Sequence, residues 1–194
     1  MTHRITIIQG HPDAGRLHLC HALANAYRGG AEASQHEVRT INVAELSFPL
    51  IHSKEDFEDG PRPAVIQEAQ SMIRTSDHLV LVYPLWLGTM PALMKGFLEQ
   101  VFRYDFAFEP DQKGRFDKKL KGRSARVLIT MGMPALAYRF YFGAHSLRSL
   151  ERNILKFAGI SPVRASLFGM VENASEARRN AWLNKVARLG RAGR

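Results

Sequence analysis

Residues 79–96 read Leu-Val-Leu-Val-Tyr-Pro-Leu-Trp-Leu-Gly-Thr-Met-Pro-Ala-Leu-Met-Lys-Gly. The run from His78 to Tyr83 has no polar alternation, so it predicts a strand covered on both faces, the kind found inside a parallel sheet. Pro84 and Pro91 bracket a stiff apolar turn, and Pro91 suits the first position of a helix. Leu93, Met94, Phe97, Leu98 and Val101 then recur at helical spacing. Buried strand, tight turn and amphipathic helix together form the repeating unit of an α/β domain.

The same grammar recurs outward from this stretch. Arg4–Gln9 predicts a first buried strand, followed by a helix over Leu17–Tyr27 that fades at Gly29-Gly30. Glu37–Asn42 predicts a second strand. Ser53–Pro63 is acidic and carries Gly and two prolines, so it predicts a surface loop before a helix over Pro63–Arg74. Phe102, Tyr104, Phe106 and Phe108 follow the helix at intervals of two. In an extended segment they would share one face, as a strap on the core or as a pocket wall or subunit contact. Asp111–Ser124 reads as a basic excursion loop, Arg126–Met131 as the fourth strand, His145–Phe157 as a helix and Pro162–Phe168 as the fifth strand. Ser175 caps a last helix over Glu176–Leu189. The alternation predicts a doubly wound, five-stranded parallel sheet of order 2-1-3-4-5 with helices on both faces, and one domain over residues 1–194.

Composition narrows the classes. With 45% hydrophobic and 23% charged residues the chain can pack a core. The apolar run at the N-terminus is too short for a secretory signal, and no stretch approaches the roughly 18 apolar residues of a membrane span. Cys20 is the sole cysteine, so no intrachain disulfide forms, which agrees with a reducing, cytoplasmic location. The net charge of +9 gives a basic surface: a solvated face, or an attraction for anionic ligands, membranes or protein partners. No zinc-finger spacing, aromatic–basic RNA signature or helix-turn-helix points to specific nucleic-acid binding.

In the predicted topology the loops that follow the first, third and fourth strands gather at one edge, beside the switch point. The first runs Gly10-His11-Pro12-Asp13-Ala14-Gly15-Arg16 into a helix. Its backbone N–H groups, the helix dipole, and His11, Arg16 and His18 suit a phosphate or pyrophosphate. The Gly10-x-x-x-x-Gly15 spacing imitates a Walker loop, but Arg16 and Leu17 stand where Lys and Ser/Thr are required. A phosphatase-type thiolate at Cys20 would need an arginine where Ala26 stands. His18, Cys20 and His21 do not share a helical face, so no metal site is expected. The second loop, Pro84 to Pro91, offers backbone groups beside the Trp86 indole, which suits the edge of a flat heterocycle. The third, Thr130-Met131-Gly132-Met133-Pro134, adds a hydroxyl and close backbone approach, with Tyr138 eight residues past Thr130.

Pro84-Leu85, Pro91-Ala92, Lys95-Gly96-Phe97, Glu99 and Val101-Phe102, with the Gly10-His11-Pro12 opening and Thr130-x-Gly132 plus Tyr138, resemble the NAD(P)H:quinone oxidoreductase family of flavodoxin-like flavoproteins. This family includes DT-diaphorase, modulator-of-drug-activity proteins and potassium-efflux ancillary reductases. The resemblance implies a noncovalent flavin, FAD or FMN. Its ring would lie on Pro84, Leu85, Trp86, Leu87, Thr130, Met131, Gly132, Met133 and Tyr138, and its phosphates on His11, Arg16, His18, Leu19 and Cys20. The extra donors of the first loop tilt the expectation towards FAD. It further implies hydride transfer from NAD(P)H through flavin N5 to a quinone-like acceptor, in a homodimer with the active site at the interface. Backbone N–H groups near Gly132 and Met133 would stabilise charge on the reduced ring. Tyr138 matches the family's tyrosine and is the catalytic candidate. His145, one residue past the family's histidine position, is either its proton partner or a surface histidine. The alternative function is a regulatory subunit docked on a membrane transporter, with little turnover of its own.

Overall fold

The computed structural model describes residues 2–110 and 115–194. In chain order it contains β1 (Arg4–Gln9), α1 (Leu19–Glu32), β2 (Glu37–Asn42), α2 (Lys54–Glu58), α3 (Ala64–Arg74), β3 (His78–Pro84) and α4 (Ala92–Val101). There follow β4 (Phe108–Pro110), β5 (Phe116–Lys118), β6 (Ser124–Met131), α5 (His145–Ser149), α6 (Lys156–Ala158), β7 (Val163–Gly169) and α7 (Glu176–Arg191). The main sheet is parallel with the order β2-β1-β3-β6-β7, which is the predicted 2-1-3-4-5 arrangement.

Every residue of β3 is buried, because helices cover both sides of the central strand. One core, built on Leu79, Leu81, Met94, Phe97, Leu98 and Ile129, lies under α3, α4 and the helices after β6. The other, built on Ile5, Ile7, Leu23, Tyr27, Val80, Leu128 and Val186, lies under α1 and α7. Emptying one large site in such a core, as in Phe97→Ala, costs about 3–5 kcal/mol.

Two bonds carry the strand pairing past the strand ends. Gly10 N–H donates to the Val82 carbonyl at 2.7 Å, and Leu85 N–H donates to the Thr130 carbonyl at 2.8 Å. These bonds hold the loops leaving β1, β3 and β6 level with one another.

Several local expectations change. The first helix starts at Leu19 and runs through Gly29-Gly30 to Glu32. Those glycines do not end it; a Cβ on Gly30 would lie 2.0 Å from the Ala187 carbonyl oxygen, so the residue allows α1 and α7 to touch. Pro91 is the N-cap of α4 rather than its first residue. The acidic loop contains the short helix α2, with Ser53 Oγ accepting the Asp56 N–H. The aromatic run is not one extended face. Phe102 and Phe106 are buried and meet edge to face, whereas Tyr104 and Phe108 join Phe116 and Phe157 in a separate cluster. The basic excursion contains β5, which pairs antiparallel with β4 just before it; residues 111–114 lie outside the described residues. The helix after β6 is divided, with a π-helical turn over Leu150–Leu155 between α5 and α6 and an earlier one over Ala137–Tyr141.

Arg103 is 1% exposed and reaches back into the acidic loop. It donates to the carbonyls of Phe57, Pro61 and Gly60 at 2.8, 3.2 and 2.7 Å, and also to that of Asp56. One guanidinium thus supplies the donors that the turn between α2 and α3 lacks.

Candidate functional site

The first loop is organised by its own side chains. His11 N–H donates to Gln9 Oε1 (3.0 Å), Asp13 N–H to His11 Nδ1 (3.2 Å), and Gly15 N–H to Asp13 Oδ1 (2.8 Å). His18 Nε2 pairs with Asp13 Oδ2 at 2.8 Å, and His18 N–H donates to His21 Nδ1 at 3.1 Å. These bonds leave the first amides of α1 at the mouth of the loop, where the helix dipole favours an anion.

Three imidazoles converge there. His11 stacks on His18 with centroids 3.8 Å apart, and His21 stands 5.4 Å from His11 and 5.8 Å from His18. Burial lowers the pKa of His11, with further lowering from His18 and His21. The same causes, burial and then His18, lower that of His21. The hydrogen bond from His18 holds the Asp13 carboxyl below the usual carboxylate range. Binding of a phosphate would reverse the repulsion among the rings, since an opposite charge favours their protonated forms.

The second loop folds on itself. Trp86 N–H donates to the Thr89 carbonyl (2.8 Å) and Thr89 N–H to that of Trp86 (3.0 Å). This closure drives Leu87 and Gly88 into positive φ, at 47° and 80°. Leu87 is fully exposed and Trp86 half exposed, while Pro84 is buried at the strand end. A leucine in the left-handed region is strained and sits there because the loop around it is constrained.

The third loop is braced from β7. Met170 N–H donates to the Met133 carbonyl (3.1 Å) and Val171 N–H to that of Met131 (3.3 Å). Thr130 and Met131 are buried and Gly132 is exposed. A Cβ on Gly132 would meet nothing nearer than Glu172 Oε1 at 3.7 Å, so the space over this glycine is open.

Two contacts tie the loops together. The His11 ring meets Trp86 edge-on at 6.0 Å, joining the first loop to the second. Cys20 Sγ meets Thr130 Oγ1 at 3.1 Å, joining the start of α1 to the third. Cys20 lies in the α1–sheet core, where burial pushes its thiol up to about 12. Arg16 is exposed beside this assembly and Leu19 is half-buried.

Tyr138 and His145 differ in setting. Tyr138 is buried; its hydroxyl pairs with Ser146 Oγ (2.9 Å) and accepts the Leu147 N–H (3.1 Å), which anchors α5. His145 is exposed at the first position of α5, next to Ala144 in the left-handed conformation. Nearby, Tyr83 Oη is buried without a partner, and burial followed by Tyr138 raises its pKa.

Beside the second loop opens an apolar cleft of ≈ 460 Å³, walled by Trp86, Leu87, Met90, Pro91, Leu150 and Ile154. Lys95, Ser149 and Ile154 are shared with a second cleft of ≈ 360 Å³ that ends on Phe102, Phe108 and Phe157. Phe140 and Tyr141 stand exposed on the π-helical turn after the third loop, with exposed Leu136 just before it.

The three loops expected to meet at one sheet edge do meet, and two further residues enter the first loop's network. Helical spacing predicts no shared face for His18, Cys20 and His21, yet the His21 ring joins that of His18 while Cys20 turns into the core. The spacing of His18 and His21, three apart at a helix start, carried that signal. Asp13, which carries no motif signal of its own, orders the loop.

A family model described as "Flavodoxin-like fold" matches residues 3–189. A Haemophilus influenzae protein named as an uncharacterized NAD(P)H oxidoreductase is 28% identical over 190 residues, covering 96% of this chain and 93% of its own. Human ribosyldihydronicotinamide dehydrogenase [quinone] is 26% identical over 160 residues, covering 76% of this chain and 67% of its own. The structure also superposes on an FMN-dependent NADH-azoreductase from Bacillus anthracis in complex with FMN. That TM-score is 0.75 at 17% identity, over 99% of this chain and 98% of the other, a likeness of fold.

Proposed function

The chain belongs to the family of the flavodoxin-like fold, and from that premise we propose that it is a flavin-dependent NAD(P)H oxidoreductase with a quinone-like acceptor. The observation that carries this reading is the pair of contacts, His11 to Trp86 and Cys20 to Thr130, that join three strand-end loops into one rim. The names of the H. influenzae and human relatives support the reaction class, and that of the B. anthracis structure supports a flavin.

The rim suits a flavin mononucleotide moiety, alone or within FAD. The first amides of α1, with Arg16, His11, His18 and His21, offer positive potential for its phosphate. The exposed backbone of Leu87 and Gly88 and the open space over Gly132 leave room for the edge of a flat ring. Bound there, the flavin would supply two-electron chemistry, accepting hydride at N5 from NAD(P)H and passing it to the acceptor. The chain's own part is orientation, exclusion of water by Trp86 and the apolar cleft, and electrostatic support from the backbone near Gly132 and Met133. Tyr138 would act by fixing α5 beside the ring, and His145 as an exposed proton carrier.

The apolar clefts along α4 and the exposed Phe140 and Tyr141 favour a homodimer that completes the site.

Purified protein should be yellow and bleach on addition of NADH or NADPH. Heat release and mass determination will distinguish FMN from FAD. Colourless protein that takes up neither flavin would overturn the reading.

A further inference from the structure

A second polar cluster lies at the other edge of the sheet, where the strands begin. His78 opens β3 opposite Ser124, the first residue of β6. Arg126 follows two residues on, so it shares a face with Ser124, and Arg164 of β7 stands directly across from it. Two like charges in cross-strand register repel. From above, α1 lays Tyr27 over this corner, its ring stacked on His78 at 6.3 Å and 17°.

All three side chains are buried, and each keeps one polar atom without a partner: Tyr27 Oη, His78 Nε2 and Arg126 Nε. Arg126 Nη1 donates to Ser166 Oγ at 3.1 Å, and His78 Nδ1 pairs with Ser124 Oγ at 2.7 Å. Among the described residues no Asp or Glu forms an ion pair with Arg126 or Arg164. After burial, the groups that lower the pKa of His78 are Arg126, His3, Arg164 and His36. The closing carbonyls of α1 offer no relief, since Gly29, Ala31 and Glu32 already accept from Ala33, Ser34, His36 and Gln35.

We propose that Tyr27, His78 and Arg126 form a binding site for a small inorganic anion of the size of chloride. A buried guanidinium without a counter-charge is costly, and so is each unmet donor. With the Ser124 hydroxyl donating to His78 Nδ1, the imidazole keeps an Nε2–H donor, which together with Tyr27 O–H and Arg126 Nε–H makes three unmet donors under this end of α1. A water molecule accepts two hydrogen bonds and brings no charge, whereas a halide accepts all three and supplies the missing negative charge. Exposed Arg164 and Arg194, whose charges reach Arg126, provide the attraction that draws an anion in. The site stands apart from the loop rim and does not depend on what that rim binds.

Two measurements on the full chain test it. Crystals grown in sodium bromide should show an anomalous peak in contact with Tyr27 Oη and Arg126 Nε. At equal ionic strength, sodium chloride should raise the melting temperature over sodium gluconate by about 2–5 °C, saturably. Tyr27→Phe, which keeps the ring and removes one donor, should lose most of that difference. A water molecule in place of the anomalous peak, or equal melting of the wild-type protein in both salts, would overturn the proposal.

Discussion

Cys20 and Thr130 are 110 positions apart in the chain, yet Cys20 Sγ lies 3.1 Å from Thr130 Oγ1, both inside the core. The contact fixes the start of α1 against the end of β6, and so sets the spacing between the first loop and the third. Thr130→Val should cost about 1 kcal/mol of stability, the usual worth of one buried hydrogen bond. It should weaken flavin retention by a larger factor than the same loss of stability elsewhere in the core. The thiol itself should be inert. With its pKa pushed up to about 12, the native protein at pH 8 should resist iodoacetamide while the denatured chain is labelled readily. Rapid native labelling would show that Cys20 is not held in the core.

If the first loop holds the flavin phosphate as proposed, the three-histidine cluster should make flavin affinity depend on pH. His11 and His21 are held below their ordinary pKa in the free protein, first by burial. A phosphate bound beside them raises those values, so binding takes up protons and tightens as pH falls from 8 towards 6. Asp13 and Glu45 act in the opposite sense on His21 but follow burial and His18 in weight. Calorimetry of FMN binding at pH 7 in buffers of different ionisation enthalpy should report net proton uptake, and His21→Gln should reduce it. Proton release would contradict the arrangement.

The sheet order was legible because β3 is apolar from Leu79 to Val82 and because strands and helices alternate through the chain. The rim was legible for a related reason, since loops at the carboxyl ends of parallel strands must meet. What the sequence concealed depends on distant contacts. Gly29-Gly30 reads as a helix end, but Gly30 serves the contact with α7, which lies far along the chain. Phe102 to Phe108 recur at intervals of two, as in a strand, yet Phe102 and Phe106 enter the core while Tyr104 pairs with Phe108 elsewhere. The π-helical turns after β6 have no simple periodic signature.

Tyr138 and His145 should separate cleanly in mutants. Tyr138→Phe removes the acceptor of the Leu147 N–H and the partner of Ser146, so it should destabilise the protein by about 1–2 kcal/mol along with any effect on turnover. His145→Gln, at an exposed position, should leave stability within about 0.5 kcal/mol. If His145 carries protons to the acceptor, the variant should lose turnover with KM unchanged. Unaltered turnover across the pH range would restrict His145 to the surface.

Arg103 should be irreplaceable by lysine. Its fork donates to four backbone carbonyls in the turn between α2 and α3, which a single ammonium cannot reproduce. Both Arg103→Lys and Arg103→Met should cost about 3 kcal/mol or more, since buried carbonyls lose their donors. Limited proteolysis should then cut within residues 53–63 before any other site. Wild-type protease resistance in Arg103→Lys would mean that the turn is held by other contacts.

His78 should govern acid stability. In the folded protein its pKa is depressed to about 3, by burial first and then by Arg126, against an ordinary value of 6.5. Below pH 6.5 the unfolded chain therefore takes up a proton that the folded chain refuses. The stability present above pH 6.5 is lost as pH falls towards 3, by about 1.4 kcal/mol per pH unit where the difference is one full proton. Asp13, Asp77 and Asp117, all held below the usual carboxylate range, contribute their own loss at lower pH. That contribution is common to wild type and variant, so it cancels in a comparison. Urea midpoints measured from pH 7.5 to 4.5 in chloride-free buffer should fall more steeply for the wild type than for His78→Gln, by close to one proton. Parallel curves would show that His78 is protonated in the folded state, and that the corner it shares with Tyr27 and Arg126 is wetter than its burial implies.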